Sequence, residues 1–282
     1  MRSALEPQSG DGHTQNLFQA LGMSALDGRG SMVIVAHPDD ETIGLGGHFS
    51  ELPGVVIIHV TDGAPRNMQD AAAHGFTERG AYARARRAEL LAAVAEAGIE
   101  PRSLLSLDIA DQEASQHLAA LARRLASLFE SHKPQAVFTH AYEGGHPDHD
   151  ATAFAARAAC RLLDAQGGRP PTLIDMPFYH SDDGRMVAQL FAPAPRAASY
   201  EAPLGRRASA LKQAMMTRHA TQREQLANFQ TSIERFRLAP DYDFTKLPND
   251  GDLYYERFPW GLDGASWLKL APAALAELGL SP

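Results

Sequence analysis

The chain reads as an α/β protein: a mostly parallel sheet flanked by helices, with an α+β extension at its C-terminal end. Three observations carry this reading. Short apolar runs recur at 32–36, 55–60, 104–107, 136–139 and 172–176, each bounded by loop residues. Stretches of helical character separate them, the pattern of a parallel sheet wound by right-handed crossovers. After about His180 the alternation is lost, which marks the extension.

Residues 1–12 are polar and glycine-containing, a loose tail, and Thr14 to Met23 can form a short helix with Leu17, Phe18 and Leu21 on one face. Val33-Ile34-Val35 has the continuous branched character of a strand buried on both faces, and it stops at Ala36-His37-Pro38-Asp39-Asp40-Glu41. A helix begins near Thr42, where Gly44, Gly46 and Gly47 allow close backbone approach. The second strand, Val55 to Val60, ends at Thr61-Asp62-Gly63, and 64–77 read as a surface loop. A long amphipathic helix from about Glu78 to Ala97 is closed by Gly98.

The third strand, Leu104 to Leu107, places Asp111 to Glu113 in the loop beyond it, and a helix spans about Ser115 to His132. The fourth strand leads into Tyr142-Glu143-Gly144-Gly145-His146-Pro147-Asp148-His149-Asp150, followed by a helix over about 151–164 and a fifth strand after Pro170-Pro171. Beyond it the expected elements are short strands at 187–191 and 197–200, then a helical stretch at 204–236. A tail over 240–260, rich in Pro, Asp and aromatics, folds back over the rest. The organisation is a tail with a short helix (1–30), a core (31–181) and an extension packed on it (182–282), one structural domain in all.

Composition removes several function classes. At 44% hydrophobic and 21% charged the chain is ordinary globular material, and its net charge of −8 argues against a nucleic-acid-binding protein. The single cysteine, Cys160, excludes an internal disulfide and a cysteine-based zinc site; in Ala-rich helical sequence it reads as a small buried hydrophobe. No window approaches the ~18 apolar residues of a membrane span. The first thirty residues lack the pattern of a secretory signal, so the expected compartment is the cytoplasm.

The loops after the first and fourth strands open on the same edge of the sheet, where ligands bind in such folds. Each carries two chemistry-bearing residues three apart: His37 and Asp40, then His146 and His149. Burying imidazoles and carboxylates unpaired is costly, and a shared metal ion makes the arrangement worthwhile. A shell of two histidines and one carboxylate from His37, Asp39, Asp40, His146 and His149 suits catalytic zinc, and ferrous iron equally. The other histidines (His48, His59, His74, His117, His132, His140 and His219) read as ordinary hydrogen-bonded or solvent-facing residues.

Ala36-His37-Pro38-Asp39-Asp40-Glu41 and Gly145-His146-Pro147-Asp148-His149 together resemble the paired signatures of the PIG-L/LmbE family of zinc-dependent N-acetylglucosaminyl deacetylases. Thr61-Asp62-Gly63 and Arg86 with Glu89 are similar to family features as well, over roughly residues 30–180. The resemblance implies a Rossmann-like fold with zinc (Fe2+ in its place as the alternative) held by His37, Asp40 and His149. It implies hydrolysis of an N-acetylated amino sugar by attack of zinc-bound water. Asp39 would then be the general base, and His146, when protonated, would stabilise the oxyanion or hand a proton to the departing amine. Asp148 would orient His146. Glu41 would cap the following helix or support a ligand, without a catalytic role. Arg86 and Asp111 would grip sugar hydroxyls. Some family members carry a tyrosine where this chain has Gly144, and Tyr142 is the nearest candidate to replace it.

The implied partner is a small amino-sugar substrate, with no nucleic acid, no membrane span, and a homo-oligomer compatible with the sequence. The alternatives are the same mechanism on a different N-acyl substrate, a non-catalytic metal-binding protein, and a dinucleotide-binding oxidoreductase. The last is disfavoured because Phe49 stands where the dinucleotide fingerprint needs its last glycine.

Overall fold

Every residue of the first strand, β1 (Ser31–Val35), is buried, and its side chains divide between two cores as the pleat requires. Met32 and Ile34 enter one, Val33 and Val35 the other. The structure, a computed structural model, describes residues 17–23, 28, 30–193 and 198–281, the side chain of residue 20 aside. The expected tail at 1–12, the start of the 14–23 helix and residue 197 lie outside the described residues.

The remaining elements are α1 (Leu17–Ala20), α2 (Asp40–Leu45), β2 (Val56–Pro65), α3 (Gln69–Ala73), α4 (Arg79–Glu96), β3 (Leu104–Asp111), α5 (Leu118–His132), β4 (Ala136–His140) and α6 (Pro147–Ala165). They continue with β5 (Thr172–Met176), β6 (Tyr179–Asp182), β7 (Arg185–Ala188), β8 (Tyr200–Pro203), α7 (Arg206–Arg218), α8 (Arg223–Leu226), β9 (Ile233–Leu238) and α9 (Gly264–Leu278). The seven-stranded sheet has the order β3-β2-β1-β4-β5-β9-β8. Its first five strands run parallel, and β9 and β8 are added antiparallel. A separate hairpin joins β6 to β7. The expected α/β class, mostly parallel sheet and flanking helices are all present.

From β1 the chain winds to β2 and β3 on one side, and β4 and β5 lie on the other. The gap between the crossovers therefore falls at the carboxyl ends of β1 and β4, the switch point where such sheets bind ligands. One core packs α5, α6 and α9 against the sheet; the other packs α1, α4 and α7. Among the described residues no helix is long and apolar enough to cross a membrane.

Several expectations need correction. The 64–77 loop instead holds the end of β2 and the helix α3, with Ala64 and Ala71 packed under Tyr82. The strand expected at 187–191 is β7, three residues shorter at its end. The largest departure is β9, read from sequence as the end of a helical stretch. Its Glu234 and Arg237 are buried (3% and 2% exposed), so a pattern that treats charge as solvent-facing misses the strand.

Those two charges are paired across the fold. Glu234 accepts from Lys212 Nζ at 2.9 Å and from the Gly47 amide at 2.8 Å, and it contacts His48 Nδ1. Lys212 also donates to the Ile43 carbonyl at 2.6 Å, tying the helix after β1 to the extension. Arg237 lies 3.5 Å from Asp175 of β5. The α9 helix starts at Asp263, whose carboxylate accepts from the Ser266 amide, and ends at Gly279 with φ +70°.

Removing one partner of a buried pair leaves the other charge unpaired. Lys212→Met is therefore expected to lower unfolding free energy by about 3 kcal/mol. A urea midpoint equal to that of the parent chain would contradict this role for Lys212.

Candidate metal centre and cleft

The turn after β1 is built to present side chains. Asp39 occupies φ 147°, ψ −26°, a backbone conformation unfavourable for a residue with a Cβ. Glu41, fully buried, holds it there. Its Oε2 accepts from the Asp39 amide and faces His59 Nε2, both at 3.0 Å, while Oε1 accepts from the Thr42 hydroxyl at 2.6 Å. Burial alone would raise the Glu41 pKa, but hydrogen bonding and charge from His59 hold it below the usual carboxylate value. Arg86, expected to grip substrate, is a buried clamp on the same turn. It donates to the carbonyls of Gly63 (2.7 Å) and Pro38 (2.9 Å) and to Asp39 Oδ2 (3.0 Å). Gly63, at φ +67°, is required there, because a Cβ would stand 2.7 Å from the guanidinium.

The turn after β4 is the N-terminus of α6. His146 caps it: its Nδ1 accepts from the Asp148 amide at 3.1 Å. An Nδ1 that accepts carries no proton, so neutral His146 holds its proton on Nε2. Burial and then the charge of His37 keep its pKa well below the ordinary imidazole value. In the neutral form that burial favours, His146 is thus an Nε2–H donor. The Asp148 carboxylate does not reach it closely (4.0 Å). It accepts instead from the Gln112 and Ala114 amides at 2.6 and 2.9 Å and lies 3.3 Å from His37 Nε2.

The two turns converge. His37 Nδ1 is 3.3 Å from Asp40 Oδ2 and 3.3 Å from His149 Nε2, and His149 Nε2 is 3.5 Å from Asp40 Oδ1. Donor atoms of a tetrahedral zinc site with bonds of ~2.1 Å stand about 3.4 Å apart, so this donor set fits such an ion. His37 Nε2 faces Asp111 Oδ1 at 3.1 Å and Asp148. Carboxylates only accept, so Nε2 carries a proton, and Nδ1, which faces Asp40 and His149, is the nitrogen that can ligate an ion once its own proton is lost. Burial opposes a charge on His37, yet Asp111 and its hydrogen bonds raise the pKa well above normal. Burial, and then His140, bring His149 down to about 4, so it is neutral and able to ligate. Buried donor sets at this place include His37 with His146 and His149, and Asp40 with His140 and His149.

Asp39 stands beside this cluster. Burial pushes its pKa up to about 8; Arg86 opposes the shift and Asp40 adds to it. Arg86 holds Oδ2, and Oδ1 has no hydrogen-bond partner among the described residues.

His37, Asp39, Asp40, Arg86, His146 and His149 line a cleft of about 480 Å³. Asp111, expected on substrate, lines it too, while its carboxylate is also held by His37. Tyr142 does not line the cleft. Its hydroxyl donates to the Lys246 carbonyl at 2.8 Å, and its ring packs with Tyr242, Phe244 and Trp267 in the core. Sequence reasoning passed over His140, which stacks on His149 at 4.0 Å and accepts from the Ala36 amide. The available signal was its position as the last residue of the fourth strand, at the same sheet edge. It also passed over Tyr179, Gln222 and Trp260 of the walls. The glycines once compared with a dinucleotide fingerprint make room for Met176, Lys212 and Leu204 of the protein itself.

Residues 32–160 match the family model described as PIG-L, GlcNAc-PI de-N-acetylase. No curated protein sequence matches the chain. Among solved structures it is similar to the zinc-inhibited form of teicoplanin deacetylase Orf2: 15% identity, 76% of this chain and 99% of that one, TM-score 0.56. It is similar to the A40926 pseudoaglycone deacetylase Dbv21 at 20% identity, 76% and 98% coverage and TM-score 0.56. It also resembles N,N'-diacetylchitobiose deacetylase from Pyrococcus horikoshii, at 19% identity, 80% and 87% coverage and TM-score 0.53. At these identities the likeness is one of fold.

Two measurements probe the centre. Asp111→Ala removes the acceptor and its charge beside His37 Nε2 and is expected to weaken zinc binding by about 10- to 100-fold, read by competition with a chelator; unchanged affinity would refute that support. Asp39→Gly and Asp39→Ala both lose the carboxylate, but only glycine tolerates the backbone. The glycine variant should be the more stable by about 1 kcal/mol, and equal melting temperatures would mean the turn is unstrained.

Proposed function

We propose, from the premise that residues 32–160 belong to the PIG-L family, that this chain is a zinc-dependent N-deacetylase of an N-acetylglucosamine-type amino sugar or its conjugate. The observation that supports it most is the triangle of His37 Nδ1, Asp40 and His149 Nε2 with 3.3–3.5 Å edges. It sits beside a carboxylate with a free oxygen and opens on a cleft.

A divalent ion held by those three residues would lower the pKa of a water toward ~7 and polarise an acyl oxygen. The rest is work for the chain's own groups. Asp39 Oδ1 accepts the proton of the attacking water, and burial makes this carboxylate a stronger base than an exposed one, while Arg86 and a bound cation favour its ionised form. Arg86 keeps that carboxylate aimed by holding the other oxygen. His146, across the cleft, donates its Nε2–H to the oxygen that gains charge as the carbonyl carbon becomes tetrahedral. When the C–N bond breaks, the nitrogen departs with the proton Asp39 had taken, giving an amine and acetate. His149 is already neutral, while His37 gives up its Nδ1 proton and keeps the one on Nε2 when an ion is held, since neutral imidazole is the form that ligates.

The test is acetate release from N-acetylglucosamine and its glycosides by the zinc-loaded chain. Asp39→Asn is expected to cut turnover about 10²- to 10⁴-fold with zinc content retained, whereas His149→Ala should lose the zinc as well. Full turnover by Asp39→Asn would end the base assignment.

A further inference from the structure

The cleft has two unlike ends. Around the metal centre it is carboxylate and imidazole; from Tyr179 and Trp260, which touch that centre, an aromatic wall of Tyr179, Phe229, Tyr254, Phe258 and Trp260 leads out to the exposed Phe258. All five rings come from residues beyond 160. They form a continuous run starting at the centre itself. Trp260 lies 4.6 Å from His146, and Phe258 stacks on Trp260 at 4.3 Å and 13°. Tyr254 is 5.2 Å from Phe258 and 5.7 Å from Tyr179, which is 6.5 Å from Phe229. Phe258 is left 36% exposed, a large ring that the core does not use.

Charge narrows what such a mouth accepts. Asp39, Asp40, Asp70 and Asp111 face the cleft, and Arg86 is the one lysine or arginine among the described residues lining it. Its guanidinium is already committed to three oxygens of the protein. A phosphate or carboxylate group on the substrate would therefore meet aspartates of its own sign and find no uncommitted lysine or arginine among the described lining residues.

We propose that these five rings are a subsite for an uncharged, flat, apolar aglycone joined to the amino sugar. The substrates are then neutral aryl-type N-acetylglucosaminides, in preference to the free sugar or to phosphate-linked sugars. This rests on the deacetylase reading for what the inner end does. The outer end supplies ring faces, which stack on flat apolar groups and bury them from water.

The test uses the zinc-loaded full chain and three compounds: phenyl N-acetyl-glucosaminide, free N-acetylglucosamine, and N-acetylglucosamine 1-phosphate. Equilibrium binding reports on the subsite, and acetate release on the chemistry. The phenyl glycoside is expected to bind about tenfold more tightly than the free sugar, and the 1-phosphate more weakly than either. Phe258→Ala should erase roughly three- to tenfold of the phenyl advantage; Tyr254→Ala is the second variant should the first fold poorly by circular dichroism. Tightest binding by the 1-phosphate, binding of none of the three, or a phenyl advantage unaltered in both variants would overturn the subsite. Binding in the expected order without acetate release from any compound would uphold the subsite and sink the deacetylase reading.

Discussion

Four buried carboxylates, Asp39, Asp40, Asp111 and Asp148, crowd around the imidazoles of His37, His146 and His149. Buried charge at this density is tolerated only where each group has a partner of defined geometry. Much of the surrounding architecture meets that demand. Asp148 takes two backbone amides and faces His37, Asp111 faces the same ring, Asp39 is bound by Arg86, and Asp40 faces three histidines. The atoms able to ligate an ion face each other in the His37–Asp40–His149 triangle, with His140 adjoining it through Asp40.

That demand explains otherwise odd features of the core. Glu41 and His59 are buried together to hold a backbone turn that the chain would not adopt unaided. Arg86, in an arginine-rich part of an amphipathic helix, is turned inward to clamp Pro38, Asp39 and Gly63. The Lys212–Glu234–His48 group secures α2 from behind, so the helix that carries Asp40 is fixed at both ends. Polar groups elsewhere in the core thus serve the position of a few atoms at the sheet edge.

The extension contributes in a different way. It adds β9 and β8 to the sheet, seals one core with Trp267 and Tyr255, and brings Tyr254, Phe258 and Trp260 over the cleft. The inner chemistry comes from the turns after β1 and β4, while most of the cleft mouth comes from residues after 176. The two halves of the site therefore answer to different constraints, charge compensation inside and apolar contact outside.

Local sequence determined the alternation of strands and helices, because apolar runs and their loop residues are short-range signals. It also made His37, Asp40, His146 and His149 conspicuous, since such residues in strand-end loops have no cheap alternative use. What it could not decide was which atom of each faces which partner. Whether Asp148 presents its amide or its carboxylate to His146, whether Arg86 points out or in, and whether Tyr142 reaches the cleft all depend on distant segments. Glu234 and Arg237 hid a strand for the same reason: a charge reads as exposed until Lys212 and Asp175, far off in the chain, are seen to neutralise it. Partners for buried charge are chosen in three dimensions, and only the tertiary structure holds that choice.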